Sequence, residues 1–164
     1  MRFPSLVPVV PVASAVAEHV VAGTRHWSVR PLIVTDLADK HDAYAAATVA
    51  LTKSGTSTLE LALADVPMAV AYRVHPITAR IVRWSVKVQY AAIVNLLLGR
   101  MAVPEFIQQD CTPTKLADAI AALLHGPDAA AQHAAFAELR GLLAPPHGTP
   151  SQAAAAEVLA LLQS

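Results

Sequence analysis

The fold class is indicated most clearly by the stretch TVALTKSGTSTLELALADVPMAVAY, residues 48–72. It opens with the apolar run TVALT and closes with the apolar run VPMAVAY, and both have the length and composition of buried strands. Between them, STLELALAD has the apolar spacing of a helix. Because parallel strands need a crossover connection, two continuously apolar strands joined by a helix predict a parallel pair with both faces covered.

The same alternation extends towards the N-terminus and stops towards the C-terminus. Upstream, strand-like and helix-like segments alternate as FPSLVPVV, ASAVAEHVVAG, RPLIVTD and DKHDAYAAA. After about residue 100 we expect no further apolar strands, because the alanine-rich helical segments TPTKLADAIAALLHG and PDAAAQHAAFAELRGLL follow. A Pro/Gly-rich break at residues 144–150 precedes a last predicted helix, SQAAAAEVLALLQS. The pattern predicts an α/β fold with a parallel sheet, flanking helices and a helical C-terminal tail.

The bulk composition limits the possible functions. With 164 residues, 55% of them hydrophobic, the chain is long enough for one domain with a substantial core. The formal net charge is zero, so no overall basic field indicates nucleic-acid binding. The single cysteine, Cys111, has no partner for an internal disulfide and is expected to be a buried, inert thiol.

Metal and cofactor signatures are missing from the sequence. The seven histidines do not form a metal-binding set: those near the N-terminus are scattered, and those in the alanine-rich tail have no cysteines or carboxylates at ligand spacing, so we predict no metal. The sequence contains neither a GxGxxG nor a Walker pattern, which argues against dinucleotide cofactors and P-loop chemistry, and we predict no cofactor.

The N-terminal segment MRFPSLVPVVPVASAVA has the order of an export signal, with Arg2, an apolar stretch and small residues. Pro8 and Pro11 interrupt the helix that such a signal forms, so a strand is the favoured interpretation. No segment reaches the roughly 18 unbroken apolar residues of a membrane-spanning helix.

The heptapeptide SGTSTLE, residues 54–60, has two interpretations, of which the first is a phosphate-binding turn. It follows a strand at the edge where open parallel sheets bind ligands, and the helix behind it directs N–H groups towards an anion. Gly55 lets the backbone approach a phosphate closely. The hydroxyl groups that can add donors belong to Ser54, Thr56 and Thr58.

The second interpretation of this heptapeptide is a helix cap without a ligand. Ser57 followed three residues later by Glu60 is a capping box, in which each side chain satisfies the other residue's backbone N–H. Spacing alone favours this interpretation, because capping boxes are common. The domain would then be purely structural.

A second group of motifs lies in YAAIVNLLLGRMAVPEFIQQDCTP, residues 90–113. Together with SGTSTLELALADVPMAVAYRVHPIT, residues 54–78, it resembles the C-terminal half of the lipid-A-disaccharide synthases. The order is similar to that family's: an SGT turn into a Leu-Glu helix, VPM into a strand ending in Tyr-Arg, then Asn-Leu-Leu, Gly-Arg, VPE, Gln and CTP. The resemblance is strongest over residues 31–124.

The resemblance implies a GT-B glycosyltransferase, in which two Rossmann-like halves face a cleft and the C-terminal half binds the UDP-sugar donor. The turn at residues 54–56 would lie against the diphosphate, and Glu60 would accept hydrogen bonds from the ribose. The predicted substrate-binding residues are Ser54, Gly55, Thr56, Thr58, Glu60, Glu105 and Gln108. The predicted catalytic residues, on the leaving-group side only, are Asn95 and Arg100, and Arg100 would be the charge partner of the departing UDP.

The same resemblance implies the domain organisation and the reaction. Residues 1–144 would be a UDP-sugar-binding, Rossmann-like domain and residues 145–164 a linker and C-terminal helix. The family's N-terminal, acceptor-binding half, expected to provide the general base, is missing. The implied reaction transfers the hexosyl group of UDP-2,3-diacylglucosamine to 2,3-diacylglucosamine 1-phosphate, forming lipid A disaccharide and UDP. The alternative is a non-catalytic nucleotide-sugar-binding module that acts with a partner chain.

Three departures from the family's pattern concern loop shape more than chemistry. Lys53 precedes the serine where a small residue is common, Val94 replaces the usual proline, and Leu98 replaces the usual alanine. The polar positions of the motifs are unchanged.

A basic stripe indicates a membrane partner. Between Asp65 and Glu105 the sequence has no acidic residue but five basic ones. On a helix from residue 77 onward, Arg80, Arg83 and Lys87 share one stripe beside an apolar one, which suits an anionic membrane surface, although a helix packed on the sheet is the commoner case. The implied partners are a UDP-sugar, a lipid-linked acceptor and an anionic membrane, and association with a second copy is left open. The implied location is cytoplasmic and peripheral on the inner membrane.

Overall fold

The computed structural model describes residues 5–74, 89–145 and 148–162. The chain divides into two compact units, Met1–Thr48 and Val49–Ser164. Every strand pair in the described residues is parallel, which confirms the predicted α/β class. The strands form a two-stranded sheet and a three-stranded sheet, where the sequence pattern predicted one sheet.

The first unit is a small β-α-β arrangement. Strand β1 (Val9–Pro11) pairs with β2 (Leu32–Val34), and a short 3-10 helix and α1 (Ala17–Thr24) connect them. Helix α2 (Leu37–Ala46) follows, and its N-cap Asp36 accepts a hydrogen bond from the N–H of Ala38 at 2.7 Å.

The second unit is built on the three-stranded sheet, in the order β3-β4-β5. Helix α3 connects β3 to β4, α4 precedes β5, and three further helices follow the sheet. The strands are β3 (Ala50–Lys53), β4 (Met68–Tyr72) and β5 (Glu105–Ile107), and the helices are α3 (Thr56–Leu63), α4 (Ile93–Leu98), α5 (Pro113–His125), α6 (Asp128–Leu143) and α7 (Pro150–Leu162).

The third strand corrects the expectation that no strand follows about residue 100. β5 pairs with β4, with Val70 opposite Glu105 and Tyr72 opposite Ile107. Only three residues form it and one of them is charged, so neither an apolar run nor an alternating pattern marks it in the sequence. Its conformation comes from pairing with β4, a contact between residues distant in the chain.

The core of the second unit lies between the sheet and the helices. Helix α6 contacts α3, α4 and α5, and its Phe136 and Leu139 are fully buried. Burial of each such side chain contributes about 1.5–3 kcal/mol. Helix α7 has no buried residue, and its large apolar side chains Val158, Leu159, Leu161 and Leu162 are more than half exposed.

A side-chain amide completes the hydrogen bonding of the central strand. Val70 of β4 donates to the carbonyl of Pro104, so its polar groups face β5, and Met68, two residues earlier, faces the same way. β5 does not extend to the position opposite Met68, and the side chain of Gln132 in α6 provides the hydrogen-bond partners there instead. The N–H of Met68 donates to Gln132 Oε1 at 2.7 Å, and Gln132 Nε2 donates to the carbonyl of Met68 at 3.0 Å. Gln132 therefore attaches α6 to the sheet.

The predicted basic amphipathic helix from residue 77 onward, with Arg80, Arg83 and Lys87, lies outside the described residues.

Candidate functional site

The candidate site lies at the carboxyl edge of the three-stranded sheet. Because the strands are parallel, their carboxyl ends meet at one edge. Ser54 directly follows β3 and Gln108 directly follows β5, so the structure brings these two predicted site residues to the same edge, two strand spacings or about 10 Å apart. Gln108 has a left-handed backbone with φ 53°. That conformation costs a non-glycine residue about 1–2 kcal/mol, and such strain is concentrated at functional positions.

The helix behind β3 begins earlier than a capping box requires. α3 begins at Thr56, and its N-cap is Gly55, which has no side chain to cap the helix. Ser57 therefore lies inside the first turn, and the predicted capping box of Ser57 and Glu60 is wrong. By helix geometry, the N–H groups of Thr56 and Ser57 have no acceptor within the helix, so they point out of its N-terminus towards the sheet edge.

Gly55 has a backbone conformation that is nearly restricted to glycine, with φ 145° and ψ −167°. A Cβ added there would meet nothing within 4 Å, so the space over this peptide is open and a substitution strains only the backbone. We expect Gly55→Ala to lower the free energy of unfolding by about 1–3 kcal/mol, measured by urea denaturation. Gly141→Ala, at an open position within α6, is the control and should raise it by about 0.5–1 kcal/mol. Equal effects of the two substitutions would contradict the conformation of Gly55.

Two of the predicted hydroxyl donors are used within the protein. Ser54 Oγ donates to the carbonyl of Ala91 at 2.6 Å. Thr58 is fully buried, and its Oγ1 donates to the carbonyl of Gly55 at 2.7 Å. Neither hydroxyl hydrogen is directed at a ligand, although the Ser54 oxygen can still accept a hydrogen bond. Thr56 is the predicted hydroxyl residue that is exposed.

Asn95 is a buried connector, not a surface group. It is fully buried in α4. Its Nδ2 donates to the carbonyl of Val103 at 2.8 Å and to Glu105 Oε1 at 2.7 Å. Its Oδ1 accepts from the N–H groups of Ala102 and Val103 at 2.8 and 2.9 Å. All four hydrogen bonds of the amide are made to protein, so Asn95 joins α4 to the segment that leads into β5.

Glu105 fixes the segment in front of α4. Its Oε2 and Oε1 accept from the N–H groups of Ala91 and Ala92, at 2.8 and 2.9 Å. Since Ser54 holds the carbonyl of Ala91, this segment is fixed from β3 on one side and from β5 on the other. The structure thus brings Ser54, Asn95 and Glu105 together. Asn95 and Glu105 hold backbone segments that border the sheet edge.

No sequence pattern marked the part played by Ala91 and Ala92, because their contribution comes from the backbone. Ser57 was also absent from the predicted binding residues, although it follows Ser54, Gly55 and Thr56 directly. The available signal was the run of hydroxyl residues after a glycine, which also fits a helix that begins two residues earlier than the capping box predicts.

Arg100 lies away from this edge. Helix α4 has six residues and is about 9 Å long; Ala91, which Ser54 contacts, precedes its amino end, whereas Arg100 follows its carboxyl end. Its Nη1 and Nη2 donate to the two carboxylate oxygens of Glu138, at 3.0 and 2.5 Å. These hydrogen bonds lower the pKa of Glu138 and raise the pKa of Arg100. The structure does not bring Arg100 together with Ser54 and Gln108, and its predicted leaving-group role stays a prediction.

The Arg100–Glu138 pair makes stability depend on pH in acid. A lowered pKa in the folded state means that the carboxylate stabilises the protein above the ordinary pKa of glutamate, and that this contribution is lost as pH falls through the lowered value. We expect the wild-type chain to unfold at a slightly higher temperature than Glu138→Gln at neutral pH and at the same temperature in acid. Because the pair is exposed, added salt should reduce the difference. A difference that grows on acidification would contradict the pairing.

Three further expectations concern the thiol, metals and membrane spans. Cys111 is free but only partly buried, so the expected core position is wrong. Within residues 5–74, 89–145 and 148–162, no three histidine, cysteine, aspartate or glutamate residues come together as metal ligands. In those parts of the chain, no helix has both the length and the apolar character needed to cross a bilayer.

Comparison with known proteins identifies the family. Residues 1–156 match the family model described as lipid-A-disaccharide synthetase. The chain belongs to this family. It is 53% identical over 163 residues to the lipid-A-disaccharide synthase of Gluconobacter oxydans, which is 99% of this chain and 39% of that protein. It is 48% identical over 173 residues to that of Granulibacter bethesdensis (98% and 44%) and 48% identical over 128 residues to that of Rhodospirillum centenum (78% and 32%).

The resemblance seen in the short motifs is therefore confirmed. The chain spans about two fifths of the length of the lipid-A-disaccharide synthases from Gluconobacter and Granulibacter. The region matched to the lipid-A-disaccharide synthetase model includes the three-stranded sheet and the turn at residues 54–60. The ligand contacts of the individual site residues stay predictions.

Proposed function

We propose that this chain binds the UDP-sugar donor as the C-terminal half of a GT-B lipid-A-disaccharide synthase. The observation that carries the proposal is the family match over residues 1–156. The fold supports it, because parallel strands flanked by helices are what a Rossmann-like half requires. The glycine turn at the carboxyl edge of the sheet supports it further.

In this proposal the donor diphosphate lies over the open peptide of Gly55. The N–H groups of Thr56 and Ser57 and the positive end of the α3 dipole are directed there, which favours an anion. Glu60, the fifth residue of α3, accepts hydrogen bonds from the ribose hydroxyls. Gln108, at the far side of the same edge, contacts the sugar.

The reaction we propose for the whole enzyme breaks the bond between the anomeric carbon of the donor and the β-phosphate oxygen. UDP leaves with the electron pair, the acceptor hydroxyl oxygen bonds to the anomeric carbon with inversion, and its proton passes to a base outside this chain. The role of this chain in the reaction is to stabilise the negative charge that develops on the diphosphate. Asn95 and Glu105 act indirectly, by fixing the backbone that borders the site.

A test of the proposed activity adds the part of a relative that this chain does not span. The N-terminal residues of the Gluconobacter synthase that precede the matched region are mixed with this chain, and disaccharide formation from labelled UDP-2,3-diacylglucosamine and the acceptor is measured. Product only when both parts are present supports the synthase. Donor binding without product supports a nucleotide-sugar-binding module that acts with a partner. A folded chain that binds no donor contradicts both.

We extend the proposal to a peripheral position on the cytoplasmic face of the inner membrane. It is supported by the sequence alone, since five basic residues and no acidic ones lie between Asp65 and Glu105. Co-sedimentation with phosphatidylglycerol vesicles, but not with phosphatidylcholine vesicles, is expected. Equal binding to both vesicle types, or to neither, would refute the membrane part of the proposal.

We also propose that α7 contacts another part of the complete enzyme or a second copy of the chain. The support is the exposure of its apolar residues, which a contact would remove from water. Mixing with the N-terminal part should protect the 144–150 break from limited proteolysis. If α7 serves self-association instead, the protection will rise with the concentration of this chain alone, and its absence in both cases contradicts the contact.

A further inference from the structure

Two exposed cations lie at the carboxyl edge of the sheet, beside the glycine turn. Lys53 is the last residue of β3, and Arg73 directly follows β4. Lys53 pairs with Ala71 in the sheet register, so Arg73 lies one strand across and two residues further along. Those two offsets place their Cα atoms about 8 Å apart. Long lysine and arginine side chains can reach a common anion over that distance.

Neither cation has an acidic partner in the parts of the chain that the structure describes. Other exposed cations of the same unit are paired: Arg100 with Glu138, Lys115 with Asp110, and Arg140 with Asp65. The sequence from residue 66 to residue 104 contains no aspartate or glutamate at all. The positive charges of Lys53 and Arg73 are therefore not neutralised by acidic side chains from the connections that follow their strands.

We propose that Lys53 and Arg73 bind the diphosphate of the donor and neutralise the charge of the leaving group. This inference rests on the proposed function and names the residues that supply charge at the same site. A nucleoside diphosphate carries at least two negative charges, more than the partial charge of about one half at a helix N-terminus. Lys53 directly precedes Ser54, and Arg73 lies on the next strand, whereas Arg100 is bound to Glu138 away from the edge.

The test compares a ligand that has the diphosphate with one that lacks it. UDP and uridine are titrated calorimetrically into the 164-residue chain and into Lys53→Ala, Arg73→Ala and the double variant. Each single substitution is expected to weaken UDP binding about tenfold, as loss of a charge-assisted hydrogen bond does, and to leave uridine binding unchanged. The double variant should also show a weaker dependence of UDP affinity on salt. Arg140→Ala, which removes a cation that is paired with Asp65, is the control and should bind UDP as the wild type does.

The outcomes separate this inference from the proposed function. If the wild type binds UDP and the double variant binds it within twofold, the charge assignment is wrong and the donor site stands. If uridine binding falls in parallel with UDP binding, the two residues do not act on the diphosphate and the inference is overturned. If the folded wild type does not bind UDP, the proposed function fails and the inference fails with it. Because both residues are exposed, their substitution should leave the fold intact, and circular dichroism of each variant checks this.

Discussion

Asn95→Leu is expected to lower the free energy of unfolding of the second unit by about 3–5 kcal/mol. Leucine has the same branching and number of side-chain heavy atoms but is larger, so the loss comes from the hydrogen bonds and from overpacking, not from a cavity. The buried N–H and C=O of Val103 lose their partners, at about 1–3 kcal/mol for each buried polar group left unsatisfied. The Glu105 carboxylate loses a donor as well. A loss of this size is a large part of the total stability of an ordinary domain, about 5–15 kcal/mol.

The measurement is chemical denaturation of the variant beside Gln109→Leu, an exposed amide residue on the surface of the same unit. The control should change the free energy of unfolding by no more than about 0.5 kcal/mol. Asn95→Asp adds a diagnostic result. Its second oxygen would face Glu105 Oε1 in place of the amide donor, so the variant should be least stable at neutral pH and partly recover when acid protonates one carboxylate. An Asn95→Leu chain as stable as the wild type would contradict the supporting role of the amide.

Gln132→Leu is expected to lower the free energy of unfolding by about 2–4 kcal/mol. Gln132 is 3% exposed and forms hydrogen bonds with both backbone polar groups of Met68, at the level where β5 has not begun. Leucine cannot replace these hydrogen bonds and leaves a buried N–H and a buried C=O unsatisfied in the central strand. The loss should be greatest where β4 begins and should loosen the attachment of α6.

Two measurements locate this effect. Urea denaturation gives the size of the loss, with Ala134→Leu, an exposed position of α6, as a control that should stay within about 0.5 kcal/mol of the wild type. Hydrogen exchange shows its place, because the Met68 amide should lose protection more than amides in α5. If hydrogen-exchange protection of the Met68 amide were unchanged, Gln132 would not be providing the hydrogen bonds that a neighbouring strand normally provides.

The β-α-β unit from β3 to β4 could be predicted from the sequence because its signals are local. Two apolar runs flank a segment of helical spacing, and the observed bounds differ from the predicted ones by only a few residues. β5 could not be predicted, since three residues with one glutamate carry no period of their own. The role of Gln132 could not be predicted either, because it depends on Met68, which lies 64 residues away in the sequence.

The residue types of the site could be predicted, but the function of each polar atom depended on distant contacts. Asn95 and Glu105 lie in one group of sequence motifs, but most of their hydrogen-bond partners are backbone groups that the fold brings together. The capping box failed because it assumed that the helix begins after Ser57, whereas Gly55 begins it with a conformation that other residues rarely adopt. Arg100 was assigned from the resemblance, and its partner Glu138 is 38 residues away.

Calorimetric titration of UDP into the chain is the direct test of the proposed donor site, with ADP as the comparison ligand and Glu60→Ala as the variant. Glu157→Ala, an exposed glutamate of α7, is the matched control and should bind as the wild type does. We predict that UDP binds more tightly than ADP, and that Glu60→Ala weakens UDP binding by about 1–3 kcal/mol, the usual cost of removing a charged hydrogen-bond partner. A chain with a cooperative unfolding transition that binds no UDP would contradict the assignment of this edge as a donor site.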